Sequence, residues 1–135
     1  MSDPVRIAKA VLDAIVDHAR REAPRECCGL LVSDGTQIDE AVPTRNIREG
    51  NTRYEVDPAA HFALIRRLRG TNRAIAGTYH SHPASSAAPS PTDIAEAYTP
   101  EFVYVIVSLR DAARPDVRAF RIAEGRSEPM SLVAG

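Results

Sequence analysis

A chain of 135 residues with a formal charge of −1 has the size of one compact domain, and its 44% hydrophobic and 26% charged shares suit a folded globular protein rather than a disordered or disulfide-stapled one. The near-neutral balance gives no electrostatic reason to expect nucleic acid or an anionic membrane as a partner, and no apolar run approaches the length of a membrane span. The two cysteines, Cys27 and Cys28, are adjacent, a poor arrangement for a structural bridge, and the N-terminus has no secretory pattern, so a reducing cytoplasm is the expected compartment.

The chain opens with a short apolar piece that continues, within residues 5–22, as an amphipathic helix. Val11, Leu12, Ile15, Val16 and Ala19 recur at helical spacing, Arg20 and Arg21 suit its negative end, and Pro24 stops it. Residues 29–33 read as a strand, Asp34-Gly35 as a tight hairpin turn and residues 36–42 as the returning strand. A polar loop over 43–51 follows, then a short strand over 54–56. Pro58 fits the first turn of a second helix with Phe62, Leu64, Ile65 and Leu68 as its apolar positions, and Arg66, Arg67 and Arg69 sit near its end, where cations suit the dipole. Residues 74–79 form the next strand, which runs into His80-Ser81-His82-Pro83, and the small, proline-bounded stretch over 84–89 is a loop. Ser90-Pro91-Thr92-Asp93 carries the signature of a helix start: a capping serine, proline at the first position and an acid two residues on. Residues 102–109 are apolar on both faces and make a central strand. A strand over 117–122 and a weaker one near 130–133 complete a single domain, residues 1–135. The expected class is α/β, a mixed sheet sandwiched by helices.

The chemistry concentrates at the strand end. Alternate strand residues point to the same face, so the imidazoles of His80 and His82 can reach one point in space. Zinc in hydrolytic sites takes three protein ligands and leaves one position for water, and Asp93, in the first turn of the next helix, is the nearest third ligand. A carboxylate that is not a ligand is still needed to take the water proton and return it to the leaving nitrogen. Glu26, beside a strand start, suits that work, although Glu22 is a nearby rival.

These residues together resemble the JAMM, or MPN-plus, metalloproteases. The shared pattern is an upstream glutamate, His-Ser/Thr-His-Pro, a serine separated from the second histidine by seven residues and an aspartate three beyond it. Here it reads Glu26, His80-Ser81-His82-Pro83, Ser90 and Asp93. The resemblance covers roughly residues 5–125 and implies the family's cytidine-deaminase-like layering. It implies one zinc ion on His80, His82 and Asp93, with Glu26 as general base and Ser90 steadying the tetrahedral oxyanion. It also implies hydrolysis of a peptide or isopeptide bond. The context Glu26-Cys27-Cys28-Gly29-Leu30-Leu31 is similar to the bacterial branch whose substrates are ubiquitin-like sulfur-carrier proteins with a Gly-Gly tail, one member activity being release of a C-terminal cysteine.

Other readings are set beside this one. An isolated His-x-His pair is usually two ordinary histidines, and Ser90 with Asp93 also makes a plain helix cap. Cys27 and Cys28 read as small buried side chains, His18 and His61 as surface or packing residues, and Arg53 with Tyr54 as a groove wall or, for Tyr54, core. A zinc nucleobase deaminase is excluded because its His-x-Glu and Pro-Cys-x-x-Cys signature is missing. An isopeptidase acting on lysine conjugates and a non-catalytic scaffold are the alternative functions, and a homodimer is left open.

Overall fold

The computed structural model describes residues 3–48 and 52–135. Val11, Ile15 and Ala19 lie four residues apart, so helix α1 (Lys9–Glu22) buries them in one stripe, together with His18. That stripe faces an eight-stranded sheet in the order β7-β6-β5-β4-β2-β3-β1-β8. The strands are β1 (Val5–Ile7), β2 (Cys28–Ser33), β3 (Ile38–Thr44), β4 (Ala74–His82), β5 (Val103–Ser108), β6 (Asp116–Ala123), β7 (Arg126–Met130) and β8 (Leu132–Ala134). Pairing is parallel for β4 with β5 and for β1 with β3 and β8, and antiparallel elsewhere. Helices α2 (Pro58–Leu68) and α3 (Pro91–Ala95) lie against the other face. This is the mixed sheet between helices that the sequence led us to expect.

The sheet is curled rather than flat. Only Ser131 separates β7 from β8, although these strands occupy opposite ends of the strand order. One residue spans about 3.5 Å, so the two edges must approach one another. The core accordingly wraps α1, with Ile7, Leu31, Tyr79, Val105 and Ala119 from five different strands in one cluster. On the opposite face, Leu64 and Leu68 of α2 cover Leu30 and Val32, while Ile94 near α3 packs with Tyr104 and Phe120. All of β5 is buried, as expected of a strand covered on both sides.

Several details differ from the sequence reading. The 34–35 turn is a four-residue loop, because the Asp34 carboxylate accepts hydrogen bonds from the amides of Thr36 and Gln37 and keeps both out of β3. Gly35 takes φ +101°, a region that costs glycine little. Strand β3 runs on through Pro43, which the sequence placed in a loop; β1 pairs with β3 only at Ile38, so Pro43 has no ladder bond to break on that side. The strand expected over 54–56 is a single bridge, Asn46 to Val56, and the Asn51 end of the expected loop lies outside the described residues. The weak strand near 130–133 is two strands meeting at Ser131. Phe62 and Ile65 are exposed, so α2 packs by the narrower stripe of Leu64 and Leu68 alone. Among the described residues, no helix is long and apolar enough to cross a membrane.

Candidate metal centre

Strand β4 continues through the second histidine because its main chain is held on both sides. His80, Ser81 and His82 pair with Ile106, Val107 and Ser108 of β5, and Cys28 of β2 pairs with His80. Beyond the end of β2, the Ser81 hydroxyl accepts from the Cys27 amide at 2.8 Å, and the Ser81 amide donates to the Cys27 carbonyl at 3.1 Å. This double clamp holds the segment that carries Glu26 beside the histidines.

The third group arrives from α3. Ser90 caps that helix: its hydroxyl accepts from the Asp93 amide at 3.0 Å, and its own amide donates to Asp93 Oδ2 at 2.9 Å, a reciprocal capping box. The cap therefore aims the carboxylate. Asp93 Oδ2 lies 2.9 Å from His82 Nε2 and 3.2 Å from His80 Nε2, and the two ring nitrogens are 3.2 Å apart. All three side chains are buried.

That triangle is made of electron-pair donors. His82 Nδ1 is 2.7 Å from the Ser86 carbonyl, which can only accept, so Nδ1 carries the hydrogen. The neutral ring then turns a bare Nε2 lone pair toward a carboxylate oxygen, an arrangement that calls for a cation or a proton between them. The electrostatics of the triangle agree. Burial pushes the Asp93 carboxyl up, but the two histidines and the Ser90 amide reverse this and hold it well below the usual range. Burial lowers His82, but Asp93 and the Ser86 carbonyl outweigh it and leave the ring more basic than usual. His80 stays below its ordinary value because its full burial dominates. The chemistry of the donor set thus fits a metal ion.

Glu26 stands apart from this triangle. One of its carboxylate oxygens lies within 4.8 Å of a ring nitrogen of each histidine. Its Oε1 is buried and has no hydrogen-bond partner among the described residues. Burial raises its pKa to about 7, with His82 opposing and Asp93 adding to the shift. A carboxyl poised near neutrality is matched to proton transfer. The rival, Glu22, ends α1 and is not in this group.

Other residues found their places. Tyr54 stacks on His80 with ring centroids 4.1 Å apart, so it walls the site. A cavity of about 450 Å³ adjoins it, lined in part by Arg48, Glu55, Thr78 and Glu96. Cys27 and Cys28 are buried free thiols, pushed up by burial to about 12 and about 11, which leaves them poor nucleophiles. His18 is a packing residue whose Nδ1 lies 2.8 Å from the Tyr79 hydroxyl. Asn46 was not singled out from the sequence, yet it is buried and uses its whole amide. Nδ2 donates to the carbonyls of Glu26 and Arg53, and Oδ1 accepts from the amides of Arg48 and Glu55. A lone asparagine in a polar loop carries no sequence signal for such a role.

Comparison with known proteins agrees with this geometry. The family described as prokaryotic homologs of the JAB domain matches residues 8–123. The chain is 35% identical over 127 residues to the CysO-cysteine peptidase of Mycobacterium tuberculosis, covering 91% of this chain and 87% of that protein. It is 35% identical over 114 residues to the desampylase of Haloferax volcanii, covering 79% and 82%. The solution structure of protein DSY2949 from Desulfitobacterium hafniense superposes with a TM-score of 0.87 at 27% identity, over 97% of this chain and 92% of that one. A buried His-His-Asp triangle with a buried glutamate within 4.8 Å of the histidines, on a chain matched along nearly its whole length, places this protein in the family of prokaryotic homologs of the JAB domain, the JAMM group that its motif resembles.

Proposed function

We propose that this JAMM-type hydrolase binds zinc through His80 Nε2, His82 Nε2 and Asp93 Oδ2, and cuts the bond after the Gly-Gly tail of a ubiquitin-like sulfur-carrier protein, releasing cysteine. The observation that carries the reading is the donor triangle with edges of 2.9–3.2 Å. Three tetrahedral ligands about 2.05 Å from zinc stand about 3.3 Å apart, so little movement is needed to close on the ion. Zinc, when bound, supplies a Lewis-acidic charge that polarises a carbonyl and makes a water more acidic.

The chain's own groups do the rest. Glu26 takes a proton from water at its carboxylate and hands it to the departing nitrogen, work for which a pKa near neutrality suits both the accepting and the giving step. The Ser90 hydroxyl accepts from the Asp93 amide and so keeps its own hydrogen for the substrate's carbonyl oxygen as negative charge develops there. Tyr54 and the buried walls hold solvent off His80. The names of the two relatives, a CysO-cysteine peptidase and a desampylase, support this substrate class.

The test is a substrate panel for the zinc-loaded enzyme: one carrier ending in Gly-Gly-Cys, in another extension, or joined to a lysine side chain, with product masses measured. Loss of the terminal cysteine alone is the expected result. Cleavage of the lysine conjugate alone would make the enzyme an isopeptidase, and binding of every carrier without cleavage would restore the scaffold reading.

A further inference from the structure

Asn46 commits its whole side chain to the surroundings of the site. Carbonyl oxygens accept and amides donate, so its partners fix which way the side-chain amide points. Nδ2 faces the carbonyls of Glu26 and Arg53, and Oδ1 faces the amides of Arg48 and Glu55, each at 3.0 Å. The residue is 7% exposed, so a lost partner is not simply replaced by solvent. Three of the four bonds anchor Asn46 within its own loop, and two of them bracket Tyr54. The Arg53 carbonyl belongs to the peptide before Tyr54 and the Glu55 amide to the peptide after it, so both links end on one side chain. Tyr54 then lies on His80, its ring 13° from the imidazole plane and 4.1 Å away between centroids. The loop is thereby registered against a histidine of the site, and Asn46 is fixed in the loop.

The fourth bond carries that position to Glu26. The peptide joining Glu26 to Cys27 is gripped at both ends: Asn46 Nδ2 donates to its carbonyl at 3.0 Å, and Ser81 Oγ accepts from its amide at 2.8 Å. Ser81 stands between His80 and His82 on β4. One grip therefore refers Glu26 to the strand, and the other refers it to the loop resting on His80. Glu26 Oε1 is buried without a partner among the described residues, so the carboxylate takes its place from the main chain rather than from a bond at that oxygen.

We infer that Asn46 is a positioning residue for the hydrolysis, acting through Glu26 by holding its main chain at a set place beside the histidines. The inference rests on the reading of Glu26 as the base and deepens it. A positioned group loses its advantage steeply with displacement, about 10²-fold for a shift of about 1 Å. Asn46→Asp keeps the shape and the acceptor for Arg48 and Glu55, but it turns an oxygen toward the carbonyls of Glu26 and Arg53, so both donated bonds are lost.

The deciding experiment is a double-mutant cycle between Asn46 and Glu26, with KM, zinc content and kcat per zinc-loaded molecule measured on a carrier ending in Gly-Gly-Cys. Asn46→Asp is expected to lower kcat about 10–100-fold while KM and zinc content stay near the parent's. Pairing of β4 with β5 and the cap on α3 place His80, His82 and Asp93 without help from Asn46. In the Glu26→Gln enzyme, which has no base left to misplace, the same substitution should change the residual rate by less than about twofold. Asn46→Ser repeats the cycle without the added negative charge. Tyr79→Phe, which loses a buried hydrogen bond on the other face of β4, should leave kcat unchanged in both backgrounds. An equal fall in kcat with and without the Glu26 carboxylate would overturn the inference, making Asn46 a support of the fold alone. So would full kcat in both Asn46→Asp and Asn46→Ser. Undiminished turnover in Glu26→Gln, or none in the parent, would overturn the reading on which the inference rests, and the inference with it.

Discussion

The two faces of β4 are built from alternate residues of one nine-residue strand, and they behave differently. On one face, His80 and His82 meet Asp93 as three electron-pair donors in mutual contact. On the other, Tyr79 and Ser81 are fully buried and satisfied: the tyrosine hydroxyl meets His18, and the serine clamps Cys27. The first face stores a requirement for a cation. The second supplies rigid backing, because β4 cannot shift without breaking contacts on the α1 side. A site with like groups in contact needs such backing, since any freedom in the strand would let the donors move apart.

Substitutions on the first face should separate chemistry from stability. Removing a ligand has the largest effect: His82→Ala or Asp93→Ala should abolish zinc binding, read as metal content after dialysis, and reduce turnover to background. Glu26→Gln should keep its zinc while kcat falls about 10²–10⁴-fold, the usual worth of a positioned base; undiminished turnover would remove Glu26 from the mechanism. Ser90→Ala removes a cap, worth about 1 kcal/mol, and the proposed oxyanion donor, and should lower kcat about 10²–10³-fold. Ser90→Thr retains a hydroxyl and should recover most of both.

The other face should respond in stability alone. A methyl group at Gly29 would stand 2.3 Å from the Tyr79 ring, so Gly29→Ala should cost about 1–3 kcal/mol by overpacking, measured by denaturant unfolding. Tyr79→Phe loses one buried hydrogen bond and leaves His18 short of a partner, a cost of about 1–3 kcal/mol, with kcat per folded, zinc-loaded molecule unchanged. A large fall in kcat for Tyr79→Phe would mean that the two faces are coupled.

The smallest effect is on pH dependence. With Glu26 as the proposed base, kcat/KM should fall as pH drops, along a limb that Glu26→Gln removes from any residual activity. In the zinc-free protein the sign for stability is opposite. Glu26 binds its proton more tightly folded, near 7, than at the ordinary 4.5. Its contribution is therefore present below 4.5 and is lost as pH rises through about 7. Comparing unfolding of the zinc-free parent and Glu26→Gln across that range isolates the slope.

Much of the site was readable because it is local. His80 and His82 share a face by the two-residue period of a strand, and Ser90, Pro91 and Asp93 spell a helix cap within four residues. Glu26 was legible mostly through the resemblance to a family, which chose it over Glu22, since 54 residues separate it from His80 and no local period links them. Asn46 was not identified, because its significance lies in hydrogen bonds between segments. The curl of the sheet was hidden for the same reason: the register that sends β7 and β8 to opposite ends of the strand order depends on partners far away in the chain.

The sequence by itself determined the elements whose physics is short-ranged, namely the amphipathic stripe of α1, the buried run of β5, the cap on α3 and the paired imidazoles. The tertiary structure alone decided how these meet. It closed the donor triangle to contact, brought Glu26 to within 4.8 Å of both histidines, and tied the Glu26 and Arg53 segments together through Asn46. Side-chain direction follows from local backbone geometry, whereas the distance between two segments depends on everything packed between them.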